Sequence, residues 1–153
     1  MIVFRLSKSA YKNDLSGRGA EIYGGRWNSK KTPMVYTSQS RALCVAEIAV
    51  HSPLGIIPKD YFLISIEIPD DCKLQQISES ELPAAWSSIP HIHQTQQIGD
   101  IFIKNADNLV LKVPSAVVQG DWNFLINPLH QDISSIKIIS AEEYGFDKRL
   151  FIK

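Results

Sequence analysis

The chain has 153 residues, of which 44% are hydrophobic and 21% charged, with 16 Lys and Arg balanced by 16 Asp and Glu. That fits one domain, residues 1–153, with volume for a real core, and excludes a disordered tail. Balanced charge supplies no field to draw in a nucleic acid or an anionic membrane surface, and no apolar run approaches the ~18 residues of a membrane span.

Residues 2–6 are β-rich, and as a strand they point Arg5 away from Phe4 and Leu6. An arginine among apolar neighbours calls for an anionic partner, and the pattern alone reads as a structural ion pair or an exposed strand face. No basic n-region precedes a long apolar run, so no secretory leader is expected. Residues 7–23 read as a polar loop around Ser16-Gly17-Arg18-Gly19. Ile22 stands where the dinucleotide fingerprint needs its third glycine, and no P-loop motif occurs.

Gly24-Gly25-Arg26-Trp27-Asn28 sets a fixed cation beside glycines that let backbone approach a ligand closely. A tight loop with Trp27 in the core satisfies the same pattern. A turn through Pro33 leads into a strand over residues 34–38, which carries Tyr36. Ser40 then caps a helix over residues 41–51, ended by Ser52-Pro53. Its apolar residues fall on nearly every side, which predicts a helix buried in the middle of the fold. Glu47 interrupts them. A carboxylate in such surroundings costs several kcal/mol unless it is paired, hydrogen-bonded or protonated. Function is one explanation of Glu47, and a structural pair with Arg5 or Arg26 is the other.

The clearest strand covers residues 61–69, with Phe62, Ile64, Ile66 and Ile68 facing one way. Residues 70–88 are polar, with a short helix over 79–86 that Pro83 disfavours. His91 and His93 have no third ligand near in sequence and read as loop residues rather than a metal site. A helix over 95–104 places Ile98, Ile101 and Phe102 on one face, with Gly99 allowing close approach. A strand over 109–113 stops at Pro114, and Ser115 lies outside any G-x-S-x-G context. Further strands fall at 121–128 and 136–139, and residues 146–150 close the chain. Cys44 and Cys72 form no C-x-x-C pair, which indicates neither zinc nor a disulfide framework and fits a reducing cytoplasm. Six or seven strands with two or three irregularly interspersed helices make an α+β fold.

Together these motifs resemble the RES domain, the toxin half of Xre–RES toxin–antitoxin modules. The likeness covers nearly the whole chain. Val3-Phe4-Arg5, Gly17 to Gly19, Gly24-Gly25-Arg26-Trp27-Asn28, Pro33 to Thr37, Ala46-Glu47, Val113-Pro114-Ser115, Asn127-Pro128 with His130, and Phe146-Asp147-Lys148-Arg149-Leu150 follow in the family's order. One departure is visible: the family usually has a glycine shortly after Arg-Trp-Asn, where this chain reads Ser29-Lys30-Lys31-Thr32. Lys148 also stands where proline is frequent.

The resemblance implies an ADP-ribosyltransferase-like split β-sheet core, with a few helices, around an NAD cleft. It implies a cytoplasmic toxin that cleaves the nicotinamide–ribose bond, with water or phosphate as acceptor. Glu47, Arg26, Tyr36 and Ser115 are its implied catalytic residues, and Arg5, Arg26, Tyr36, Ser115 and Asn127 its implied NAD contacts. NAD is then a substrate, and no cofactor or metal is implied. The implied partners are an Xre-type antitoxin that blocks the site and a second toxin copy within a hetero-oligomeric complex. A mono-ADP-ribosyltransferase acting on a protein or nucleic acid shares the first half of this chemistry and is the competing expectation. Retention of Arg5, Arg26, Tyr36 and Glu47 together argues against a catalytically dead antitoxin-binding scaffold.

Overall fold

The computed structural model describes residues 1–152. Seven strands, β1 (Ile2–Lys8), β2 (Val35–Ser38), β3 (Tyr61–Glu67), β4 (Leu74–Gln76), β5 (Val110–Pro114), β6 (Trp122–Ile126) and β7 (Lys137–Tyr144), form one mixed sheet in the order β4-β5-β6-β2-β1-β3-β7. Only β4 and β5 run parallel. Three α-helices, α1 (Arg18–Tyr23), α2 (Arg41–His51) and α3 (His93–Asn105), complete the α+β architecture.

The sheet's weakest joint is central. β1 pairs with β3 over seven residue pairs and β2 pairs with β6 over four, but β1 and β2 meet through Phe4 and Ser38 alone. Strand pairing is therefore thinnest at this seam. The α+β class expected from the sequence holds, in one mixed sheet.

Strand alternation covers both faces of the sheet. Val110, Phe124 and Ile126 join Val3, Val35, Ile64, Ile66 and Ile68 in one core. Leu111, Val113 and Leu125 turn the other way and pack with Trp27, Met34, Trp86, Phe102 and Ile103. α3 presents Thr95, Gly99, Phe102 and Ile103 to that second core, the i, i+4, i+7, i+8 spacing of one helix face. Ile101, expected on the same face, is 57% exposed. Gly99 explains how closely α3 approaches: a Cβ there would lie 1.6 Å from the Trp27 carbonyl oxygen.

Two elements escaped the sequence reading. α1 lies within the expected polar loop, and its six residues include none that is buried, so no apolar period marks it. β4 is a three-residue strand at the sheet edge, where only Leu74 reaches a core. α2 keeps its expected bounds, and the Ser40 hydroxyl accepts from the Leu43 amide at 3.1 Å. Its expected all-round burial does not hold. Only Leu43 and Cys44 are buried and Val50 is 59% exposed, because the helix lies against β1 and β2 while its far side and C-terminal turn face solvent.

The family's missing glycine also has a structural counterpart. Lys31 has φ of 76°, in the left-handed region that disfavours any residue with a Cβ, and its amide donates to the Glu21 carbonyl at 2.7 Å. Lys31→Gly is expected to stabilise the fold by about 0.5–1 kcal/mol in urea unfolding, since the strain removed exceeds the chain entropy that glycine adds. Gly99→Ala is expected to cost at least about 3 kcal/mol, because the added methyl meets rigid backbone.

Candidate active site

A cavity of about 170 Å³ opens at the β1–β2 seam. Arg5 and Leu6 from β1, Tyr36 and Ser38 from β2, Cys44 and Glu47 from α2, and Asn123 from β6 line it. A larger groove of about 580 Å³ between α3 and β4 has Glu81 and Asp107 as its charged residues and no cation in its lining. Its charge would repel a pyrophosphate, so the seam is the better candidate for an anionic ligand despite its smaller volume.

Glu47 is the carboxylate of the cavity. Its side chain is 26% exposed rather than sunk among apolar groups. Oε1 accepts from Asn123 Nδ2 at 2.9 Å and from the Ser115 hydroxyl at 3.3 Å. Oε2 receives no hydrogen bond among the described residues, and His51 Nε2 lies 4.0 Å from it. Ser115 Oγ is itself held by the Val117 and Val118 amides, each at 3.1 Å. Neither Arg5 nor Arg26 forms an ion pair among the described residues, so the structural pair considered for Glu47 is absent there.

The two arginines are held differently. Arg5 Nη1 donates to the Asp14 carbonyl at 2.7 Å, and the Asp14 carboxylate in turn accepts from the Ser16 amide. Burial lowers the Arg5 pKa, opposed by the Asp14 charge. Arg26 Nη1 donates to the carbonyls of Trp86 and Ser88, at 2.6 and 3.1 Å, and does not line the cavity. Burial lowers its pKa too, opposed by the charge of Glu47, which places Arg26 within electrostatic reach of that carboxylate.

Tyr36 contributes its ring to the cavity, while its hydroxyl is already engaged. The phenol donates to Asn28 Oδ1 at 2.7 Å and accepts from the Trp27 amide at 3.1 Å. Burial raises its pKa well above the ordinary tyrosine value, so it stays neutral at physiological pH. Asn28 Nδ2 donates to the carbonyls of Ala20 and Thr32, and Gln96 on α3 donates to those of Gly25 and Asn28. Gly25 is required here because a Cβ would stand 2.6 Å from the Tyr36 hydroxyl. The Gly24–Asn28 stretch is thus a tight loop with Trp27 buried, one of the two readings its sequence allowed.

Asn127 is not brought to the cavity. It is fully buried, donates to the Ile103 carbonyl at 3.2 Å and accepts from the Leu129 amide at 2.9 Å, which ties the end of β6 to α3. Asn123 and Ser38 line the cavity instead and were missed in the sequence, where Asn123 is one polar residue within an apolar strand. Its alternation with Phe124 was the available signal.

With this geometry established, comparison with known proteins assigns the chain to a family. A RES domain model matches residues 2–147. The chain belongs to the RES domain family. "Prs ADP-ribosylating toxin" of a Sphingobium species is 35% identical over 143 residues, 92% of this chain and 89% of that one. "Toxin Res" of Pseudomonas putida is 37% identical, covering 99% of this chain and 100% of that one, and "Toxin Res" of Photorhabdus laumondii is 34% identical over 98% and 97%. Among solved structures, the Mycobacterium tuberculosis MbcT–MbcA toxin–antitoxin complex contains a chain that superposes with a TM-score of 0.75 at 18% identity, covering 94% of this RES domain and 84% of that chain. At that identity the likeness establishes the fold alone.

Cys44 is the one thiol in the cavity lining, and burial pushes it up to about 11. A thiol that titrates higher folded than unfolded gives its full stabilisation below the ordinary thiol range and loses it as pH climbs toward 11. At pH 8, iodoacetamide should alkylate Cys44 at least about 10-fold more slowly in the folded protein than in urea, followed by mass spectrometry. Equal rates would contradict the buried, neutral thiol.

Proposed function

We propose that this RES domain is the toxin of a toxin–antitoxin pair and depletes NAD by cleaving its nicotinamide–ribose bond. The observation that carries the reading is the placement of the Glu47 carboxylate in one cavity with Arg5 and the Tyr36 ring, at the seam of the sheet. The cavity is smaller than the ~300–1,000 Å³ of a whole-ligand pocket, so it suits a ribose with its nicotinamide, the rest of NAD lying along the open surface.

Departure of nicotinamide leaves a ribose with oxocarbenium character. Glu47 Oε2 is the oxygen without a hydrogen-bond donor, so it is free to face that cation or to accept from the ribose 2′-hydroxyl. Hydrogen bonds to Oε1 keep the carboxylate in place before the reaction, which avoids reorganisation as charge develops. Arg5 has donors beyond the one given to Asp14 and binds a phosphate of the pyrophosphate. Arg26 braces the loop at Trp86 and adds positive potential near Glu47. The Tyr36 ring offers an apolar face to nicotinamide. Ser115 acts on Glu47 rather than on substrate, and the geometry of Asn127 suits a structural role. Water or phosphate completes the reaction as acceptor, in the cytoplasm, without a metal or cofactor.

A second reading, ADP-ribose transfer to a protein, is favoured by the Sphingobium relative's name, "Prs ADP-ribosylating toxin". Both readings share nicotinamide release and the same carboxylate. An Xre-type antitoxin and a second toxin copy are the proposed protein partners, in keeping with a toxin–antitoxin complex among the structural neighbours.

Glu47→Gln is expected to lower nicotinamide release from NAD by at least about 10²-fold while leaving the melting temperature nearly unchanged. Full turnover in that variant would sink the proposal. With NAD labelled in its adenylate, wild-type protein added to a cell extract should yield free ADP-ribose or its 1″-phosphate. Label retained on a macromolecule would select transfer instead.

A further inference from the structure

Glu47 is a flexible side chain on a helix, yet both of its hydrogen-bond donors come from elsewhere and both converge on one oxygen. Asn123 Nδ2, from β6, lies 2.9 Å from Oε1, and the Ser115 hydroxyl lies 3.3 Å from it. An amide can present either its NH₂ or its carbonyl to a carboxylate, and the second orientation is repulsive. The acceptor-only carboxylate selects the NH₂, and Ser38 holds the other end of the amide: its buried hydroxyl donates to Asn123 Oδ1 at 3.0 Å, which anchors Asn123 beside Glu47. Ser38 is also the β2 residue at the single pair that joins the two halves of the sheet. The relay therefore begins at the seam itself.

We propose that Asn123 and Ser38 are positioning residues for the reaction, a two-step relay that orients Glu47 and leaves Oε2 free for the ribosyl cation. The inference rests on the NAD-cleavage reading of the site. The other charged or titratable groups around Glu47 are Arg5 on β1, Tyr36 on β2, Cys44 and His51 on α2, and Arg26 in its loop. None of them donates a hydrogen bond to Oε1 among the described residues.

The test measures nicotinamide release against pH for Asn123→Asp, Ser38→Ala, Ser38→Thr and Glu47→Gln, with thermal melts to confirm folding. Asn123→Asp sets two carboxylates in contact, so the acid limb of kcat/KM should rise by about one pH unit or more, with KM for NAD within about 3-fold of wild type. Ser38→Ala should lower kcat by about 10-fold, and Ser38→Thr, which keeps the hydroxyl, should restore most of it. A fold change in the aspartate variant leaves the Ser38 pair to decide. If Glu47→Gln is inactive while Asn123→Asp and Ser38→Ala keep wild-type kcat and acid limb, the relay is overturned and the reading of the site stands. If Glu47→Gln retains turnover, both fall together.

Discussion

One carboxylate oxygen, Glu47 Oε1, gathers three separate parts of the chain: the helix that carries it, β6 through Asn123 and the turn after β5 through Ser115. A partly exposed glutamate gains little from a single surface contact. Two fixed donors, themselves held by Ser38 and by the Val117 and Val118 amides, restrict it to one orientation. The proposed cleavage needs such restriction, because a charge that is aimed beforehand does not have to reorganise as the substrate becomes cationic.

The seam makes room for that charge. Arg5, Tyr36 and Glu47 line one cavity where β1 and β2 pair through a single residue each. On the other side of β2, side chains reinforce its pairing with β6: Thr37 donates to the Phe124 carbonyl at 2.6 Å and Ser38 to Asn123. Among the described residues no buried side-chain nitrogen or oxygen is left without a partner. The cavity is thus built into a satisfied fold, not left as a packing defect.

Much of this was legible from residues alone, for reasons that differ by element. α2 was marked by Ser40 at its start and Ser52-Pro53 at its end, and β3 by the alternation of Phe62, Ile64 and Ile66. Glu47 stood out as an acid in an apolar helix. Its partners did not, because Asn123 lies 76 residues away and only the pairing of β2 with β6 brings Ser38 to it. Tyr36 was visible as a phenol, but the engagement of its hydroxyl by Asn28 depends on a loop that the sequence left open between two readings. α1 and β4 were hidden because neither buries enough apolar surface to write a period. Lys31 is the instructive case: a missing glycine in the motif corresponds to a left-handed residue that keeps the turn at the expense of strain.

The seam cavity is proposed to hold the nicotinamide ribose against Glu47. A crystal structure of the Glu47→Gln variant soaked with intact NAD tests it most directly. The ribose is expected within hydrogen-bonding distance of the side chain at position 47, with the pyrophosphate toward Arg5 and the nicotinamide against the Tyr36 ring. NAD seated in the groove between α3 and β4, with the seam empty, would contradict it.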